Sequence, residues 1–156
     1  MADADRATDT SCTDAPAVRV RRVGPSELGR VEQFYRDTAY GGGVSADDDV
    51  LAAECGKQLV GALRLCKEFG VVVLRGMRVR EECRRQGIGT ALLMGAAEEL
   101  RDRACYAIPH RYLRGFYAQG GFEEQGAADA PRELQARLEQ YREWRLDVIL
   151  MRRPHL

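Results

Sequence analysis

The residues best suited to chemistry lie between Met77 and Thr90, in the run MRVREECRRQGIGT. A β-branched stretch ends at Val79, a charged turn follows, and Gly87, Ile88 and Gly89 open a segment with helical spacing. Glycines at a helix start let backbone N–H groups approach a ligand closely. Those unpaired donors, with the positive end of the helix dipole, favour a phosphate or pyrophosphate. Arg84 and Arg85 add positive charge on the approach. An ordinary strand-to-helix turn that needs glycine for its geometry accounts for the same spacing, so spacing alone leaves both readings open. Two other phosphate loops are excluded. A dinucleotide fingerprint needs Gly or Ala three residues after the second glycine, where Leu92 stands. A Walker A loop needs a Lys that this run lacks.

The elements that would hold this loop follow from periodicity. Val18, Val20 and Val23 alternate with arginines as in a strand exposed on one face. Gly24-Pro25-Ser26 then punctuates the chain, with Ser26 as a helix N-cap, and Leu28, Val31, Phe34 and Tyr35 predict an amphipathic helix over Glu27 to Thr38. Gly41-Gly42-Gly43 opens a loop through Asp49. Val50 to Glu54 and Gln58 to Cys66 read as a hairpin around Gly56. Val71 to Val79 reads as a central strand, and Gly76 inside it marks a bulge or a close backbone approach. The spacing of Ile88, Ala91, Leu92, Gly95, Ala96 and Leu100 predicts a helix from Gly87 to Arg103. A short strand over Ala104 to Ile108 precedes a helix carrying Tyr112, Gly115, Phe116 and Gln119, and a strand over Phe122 to Gln125 follows it. A helix over Pro131 to Trp144 with Leu134, Leu138 and Tyr141 on one stripe, then a strand over Leu146 to Met151, complete the pattern. The order β-α-β-β-β-α-β-α-β-α-β is that of a single mixed α/β sheet. Residues 1–16 are polar, without hydrophobic period, and read as a disordered leader before one domain over 17–156.

On these elements the chain resembles the GNAT superfamily of acyl-CoA-dependent N-acetyltransferases. Arg84-Arg85-Gln86-Gly87-Ile88-Gly89 fits that family's pattern of Arg or Gln, two residues, Gly, one residue, then Gly or Ala. Upstream, Met77 and Val79 fall at the family's apolar-x-Val strand end. Downstream, Phe116-Tyr117-Ala118-Gln119-Gly120-Gly121-Phe122 is similar to its Phe-Tyr-x-x-x-Gly-Phe segment. The resemblance implies a mostly antiparallel sheet flanked by helices and splayed between two strands to admit acyl-CoA. It implies that the backbones of Met77 and Val79 pair with the pantetheine arm, and that the amides from Arg85 to Thr90, through Gln86, Gly87, Ile88 and Gly89, cradle the pyrophosphate beside Arg84. It further implies that acetyl-CoA is the cosubstrate, that a primary amine attacks it directly in a ternary complex, and that Tyr117 protonates the departing thiolate. Tyrosine suits that role because its reference pKa, roughly 10, keeps it protonated at neutral pH. The chain departs from the family where a Glu general base often precedes the loop: Val71 to Leu74 carries no carboxylate, and Glu81 and Glu82 fall beyond it. His110 stands where a cofactor-bonding Asn is frequent. It would bond the pantetheine, relay a proton, or cap a surface turn.

Composition bounds the alternatives. The 156 residues include 24 cations, all but Lys57 and Lys67 being Arg, and 24 anions, so the net charge is zero. That balance disfavours a general nucleic-acid binder. No apolar run approaches the ~18 residues of a membrane span. The five cysteines are odd in number, widely spaced and free of CxxC, pointing away from a disulfide framework or metal site and toward a reducing cytoplasm. In the family the acceptor pocket is walled by the loop after the first helix, here Tyr40 to Asp49, and by the segment from Glu123 to Trp144. Asp47, Asp48 and Asp49 would attract a cation or, as charge runs usually do, form a solvated turn. Arg75 shares strand parity with Met77, so that it and Arg64 on the neighbouring strand would either hold an acceptor carboxylate or be salt-bridged within the sheet. The resemblance also points to a homodimer. A CoA-binding regulator without turnover and a pure interaction domain are the rival readings.

Overall fold

The computed structural model describes residues 18–155, and the expected leader over 1–16 lies outside the described residues. In chain order the elements are β1 (Val18–Arg22), α1 (Leu28–Asp37), β2 (Asp49–Cys55), β3 (Gln58–Glu68), β4 (Val71–Val79), α2 (Ile88–Leu100), β5 (Cys105–Ala107), α3 (Arg114–Ala118), β6 (Glu123–Glu124), α4 (Arg132–Glu143) and β7 (Met151–Arg153). They build one seven-stranded sheet in the order β1-β2-β3-β4-β5-β7-β6. Every neighbouring pair is antiparallel except β4 and β5, which meet in parallel at a single register pair, Val73 with Tyr106. No helix among the described residues is long and apolar enough to cross a membrane.

Side-chain alternation distributes the core over both faces. Leu51, Leu63, Leu65 and Leu74 pack against Ile88, Leu92, Ala96 and Leu100 of α2, with Tyr117 and Phe122 in the same cluster. On the opposite face Val50, Ala52 and Ala62 pack against Val31, Phe34 and Tyr35 of α1. Farther along, Val73 and Tyr106 pack against Leu134 and Leu138 of α4. Burying a large aliphatic side chain is worth about 1.5–3 kcal/mol, which is why the apolar stripes decide these placements.

Several boundaries differ from the periodicity. Ser26 does not cap α1; it sits in a 3₁₀ turn over Pro25–Glu27, whose start is tied by the Gly24 N–H donating to Glu27 Oε1 at 3.4 Å. Helix α2 stops at Leu100, because Arg101 adopts φ +56°. Tyr112 precedes α3 in a 3₁₀ turn and is 82% exposed, so it is no part of a buried helix face. The expected strand over Leu146 to Met151 is displaced: only Met151–Arg153 is strand, while Ile149 donates its N–H to the Pro109 carbonyl at 3.0 Å and Val148 forms an isolated bridge with His110. Val148, Ile149 and Leu150 are buried beside Pro109 and His110, just past the end of β5.

The bulge at Gly76 has larger consequences. Arg64 pairs with Arg75 and Ala62 with Arg78, so β4 carries one residue more than β3 across this interval. Gly76 adopts φ +67°, and Tyr35 of α1 donates its hydroxyl to the Gly76 carbonyl at 2.8 Å. The extra residue also resets the side-chain alternation. Met77 and Val79 pack toward α2, whereas Arg75 pairs with Arg64 on the opposite face. The expected shared parity of Arg75 and Met77 is therefore wrong, because the bulge lies between them.

Arg64 is itself buried, at 4% exposure. Its Nη1 pairs with Asp48 at 3.2 Å, its Nη2 donates to the Tyr40 hydroxyl at 3.3 Å, and its guanidinium lies over the Tyr35 ring. Asp49 is buried as well and pairs with Arg22 at 2.6 Å. The acidic run is thus not a solvated turn: Asp48 and Asp49 tie the loop to the sheet, and only Asp47 is exposed.

Replacing Gly76 by Ala should lower stability by at least about 1–2 kcal/mol, the cost of left-handed backbone for a residue with a Cβ. The added Cβ would also lie 2.6 Å from the Tyr35 hydroxyl. An undiminished melting temperature would show that the bulge relaxes. Asp48→Asn leaves the buried Arg64 charge without its anion and should cost about 3 kcal/mol. Asp47→Asn should leave the melting temperature within about 1 °C, since surface changes of this kind are worth a few tenths of a kcal/mol; equal effects from the two would remove the distinction drawn here.

Candidate active site

The site begins where β4 and β5 part. Beyond Val73 the two strands diverge, leaving the far half of β4 without a partner on that edge. Arg80 donates its N–H to Val60 of β3 at 2.8 Å, so strand alternation turns the backbone groups of Met77 and Val79 away from β3 and toward the opening. Val79 is only half available, because Arg84 Nε already donates to its carbonyl at 3.3 Å.

Past β4 a 3₁₀ turn over Glu81–Cys83 leads to the start of α2, with Glu81 and Glu82 exposed. Arg85 adopts φ +64° and Gly87, the N-cap of α2, φ +82°. These left-handed residues aim the loop amides outward. Among the described residues, none of the N–H groups from Arg85 through Thr90 donates to a protein acceptor; the first intrahelical bond runs from Ala91 to Gly87. Such a run of unpaired donors at the positive end of a helix suits a pyrophosphate-sized anion. Arg84, Arg85 and Gln86 are exposed beside it, and Ile88 is buried as the anchor of α2. Gly89 differs from Gly87. A Cβ there would stand 3.3 Å from the Phe116 ring, so Gly89 eases the seating of α2 against α3.

The opening between β4 and β5 holds a cavity of about 350 Å³. Tyr117 lines it, 5% exposed and held edge-on between Phe116 and Phe122, with ring centroids 5.2 and 5.8 Å away. Its hydroxyl has no hydrogen-bond partner among the described residues, and burial pushes the phenol above the usual tyrosine range. Tyr117 is therefore a neutral donor at physiological pH, in the form a general acid needs. His110 lines the same cavity but is exposed and stacks on Tyr112 at 5.6 Å. Among the described residues no Asp or Glu lines the cavity. Arg75 does line it, whereas Arg64 is withdrawn into the packing under Tyr35 and Tyr40.

Tyr40 from the acidic loop and Arg137 and Tyr141 from α4 complete the cavity wall. Both wall segments are legible as ranges in the sequence; the individual side chains are not. Arg137 carries the one available signal, since it falls three residues after Leu134 and four before Tyr141 on the stripe that turns inward. Among the described residues there is no group of three or more His, Cys, Asp or Glu that could hold a metal ion.

This combination of an amide-lined helix start and a splayed parallel strand pair has known counterparts. The acetyltransferase (GNAT) domain model matches residues 46–124. No curated protein sequence matches the chain. Among solved structures, an acyl-CoA N-acyltransferase from Pseudomonas aeruginosa superimposes with a TM-score of 0.62 at 21% identity, over 88% of this chain and 99% of its own. The PaiA N-acetyltransferase from Thermoplasma acidophilum, in complex with coenzyme A, gives 0.60 at 16% identity over 89% and 99%. The ribosomal-protein-S18-alanine N-acetyltransferase from Escherichia coli gives 0.61 at 15% over 89% and 94%. At these identities the likeness is one of fold, while the domain model spans half the chain and includes the strand, loop and helix start described above. The chain belongs to the GNAT family, the acyl-CoA-dependent acetyltransferases.

Proposed function

We propose that the protein transfers an acetyl group from acetyl-CoA to a primary amine by direct attack within a ternary complex. The observation that carries this reading is the run of unpaired amides from Arg85 to Thr90, one strand length from a cavity that contains a buried, protonated Tyr117. The amides and the α2 dipole would hold the pyrophosphate, with Arg85 adding charge from its unpaired, exposed position. The open backbone groups of Met77 and the N–H of Val79 would pair with the pantetheine as an added strand does. Acetyl-CoA supplies the activated acyl group as a thioester.

In the reaction the amine nitrogen forms a bond to the acyl carbon as the carbon–sulfur bond breaks. Tyr117 gives its hydroxyl proton to the departing sulfur and recovers one from solvent. The amine's own proton leaves through water, since among the described residues no carboxylate lines the cavity. That same absence is the one feature favouring a CoA-binding regulator without turnover; the placement of Tyr117 opposes it.

Two variants divide the steps. Arg85→Glu reverses an exposed charge beside the amides and should weaken acetyl-CoA binding tenfold or more by calorimetry, the loss of a charge-assisted contact being worth about 1.5–3 kcal/mol. Its melting temperature should not change; undiminished affinity would place the pyrophosphate elsewhere. Tyr117→Phe removes a hydroxyl with no protein partner, so stability and acetyl-CoA affinity should hold. Turnover, read as thiol release with an amine the parent accepts, should fall roughly 10²–10⁴-fold. Full activity in the folded Phe variant would remove Tyr117 from the mechanism, and acetyl-CoA binding without thiol release from any amine in the parent would favour the regulator.

A further inference from the structure

The charge around the acceptor end of the cavity is unbalanced. Arg75, Arg78 and Arg137 line it and among the described residues no Asp or Glu does, while Arg75 also borders an adjoining cavity with Asp47, Asp48 and Glu68, of which Asp48 is held by Arg64. Arg78 is committed, donating from Nε at 3.1 Å and from Nη2 to the Thr38 carbonyl. Arg137 makes a bidentate pair with Glu68, at 3.0 and 2.9 Å, and its guanidinium lies over the Phe69 ring. These contacts hold the Glu68 carboxyl below the usual carboxylate range, Arg137 being the main cause, so Glu68 stays ionised and bonded. Arg75 reaches the same carboxylate only through Nη1, at 3.3 Å. Its Nε and Nη2 have no partner among the described residues. Two guanidiniums therefore share one carboxylate, and the surplus positive charge sits on the one whose donors remain open.

That charge cannot serve the pyrophosphate. Arg75 is four residues from Val79 along β4, roughly 13 Å at ~3.3 Å per residue, and on the other side of the bulge from the amide run. The bulge also turns Arg75 to the face shared with α4 and away from Met77. A planar guanidinium with adjacent free donors matches a carboxylate in two parallel hydrogen bonds. A polyamine or a lysine-rich peptide would instead meet the guanidiniums of Arg75, Arg78 and Arg137, with exposed Asp47 in the adjoining cavity as its nearest unpaired carboxylate.

We infer that the acceptor is an amine that itself carries a carboxylate, of the amino-acid or short-peptide class, seated with that carboxylate on the open donors of Arg75. The inference rests on the reading of this cavity as an acetyltransferase site. Arg137 and Glu68 act as positioning residues that hold the Arg75 guanidinium at the cavity mouth.

The test uses the full chain and amines in matched pairs, each free amino acid or dipeptide against its C-terminal carboxamide, with spermidine and phosphoethanolamine as further arms. Thiol release should be confined to, or at least tenfold greater in kcat/KM for, the carboxylate members. Arg75→Gln should raise KM for the preferred acceptor at least tenfold with kcat less affected, and Arg75→Lys should restore part of the loss. The carboxamide's residual rate should not respond to either change. Equal use of the carboxamides, preference for spermidine or phosphoethanolamine, or no carboxylate-bearing acceptor despite bound acetyl-CoA would each overturn the inference. So would an Arg75→Gln variant, folded by its melting temperature, that keeps the parent KM. Failure of the parent to bind acetyl-CoA by calorimetry would be a different result: it would sink the transferase reading first and this inference with it.

Discussion

The structure depends on one extra residue in β4. Gly76, at φ +67°, breaks the register with β3, and the strand beyond it diverges from β5 after the single pairing of Val73 with Tyr106. A regular β4–β5 ladder would seal the edge and leave no cavity. β4 stays paired with β3 on both sides of the bulge while its other edge is open beyond Val73, so the sheet carries an unpaired strand segment in its middle. Exposed strand edges invite pairing with another chain. Here the opening is walled by Tyr117 on one side and by Tyr40, Arg137 and Tyr141 on the other.

The bulge is held from the α1 side. Tyr35 donates to the Gly76 carbonyl, Arg64 packs over Tyr35, and Asp48 and Tyr40 fix Arg64. Arg78 reaches back to the carbonyl of Thr38 at the end of α1. These contacts join the loop after α1 to the bulge as one unit. Burial pushes the Cys66 thiol beside Arg64 up to about 12, so this cation is balanced by Asp48 and not by a thiolate. A buried ion pair of this kind contributes little net stability compared with apolar packing, but breaking it is costly. Its effect here is to fix where the loop sits.

Charge is divided along β4. The helix-start amides and exposed Arg84 and Arg85 lie at its C-terminal end, and the Arg75–Glu68–Arg137 group lies on the other side of the bulge. Each end presents donors, and the cavity between them is also lined by Leu74, Leu113, Tyr117 and Tyr141. Taking Tyr117 out of water keeps its proton in place, while the lack of a protein partner leaves its hydroxyl free to donate into the cavity.

Much of this was legible in the sequence because it is encoded locally. The order of strands and helices follows from apolar periods within single segments, and the RRQGIG run marks a glycine-rich helix start, which the resemblance to the family's pattern turns from an ordinary turn into a candidate anion loop. Tyr117 is singled out by the likeness of the FYAQGGF segment to the family's pattern; by itself it reads equally as a core aromatic beside Phe116. What periodicity missed are relations between segments. Register decides which side chains meet across a sheet, and one inserted residue reverses the face of everything on one side of it, which is why Arg75 lies opposite to Met77. Whether an acidic run is solvated depends on what folds over it, and Asp48 is buried only because β3 presents Arg64 at that spot. The two loop glycines look equivalent in a linear pattern, yet Gly87 answers to a left-handed backbone and Gly89 to the ring of Phe116, a residue 27 positions away in the chain. Period and turn chemistry are properties of neighbouring residues, so the sequence by itself determines them; burial, pairing and charge balance are properties of contacts between distant ones, and only the tertiary structure decides those.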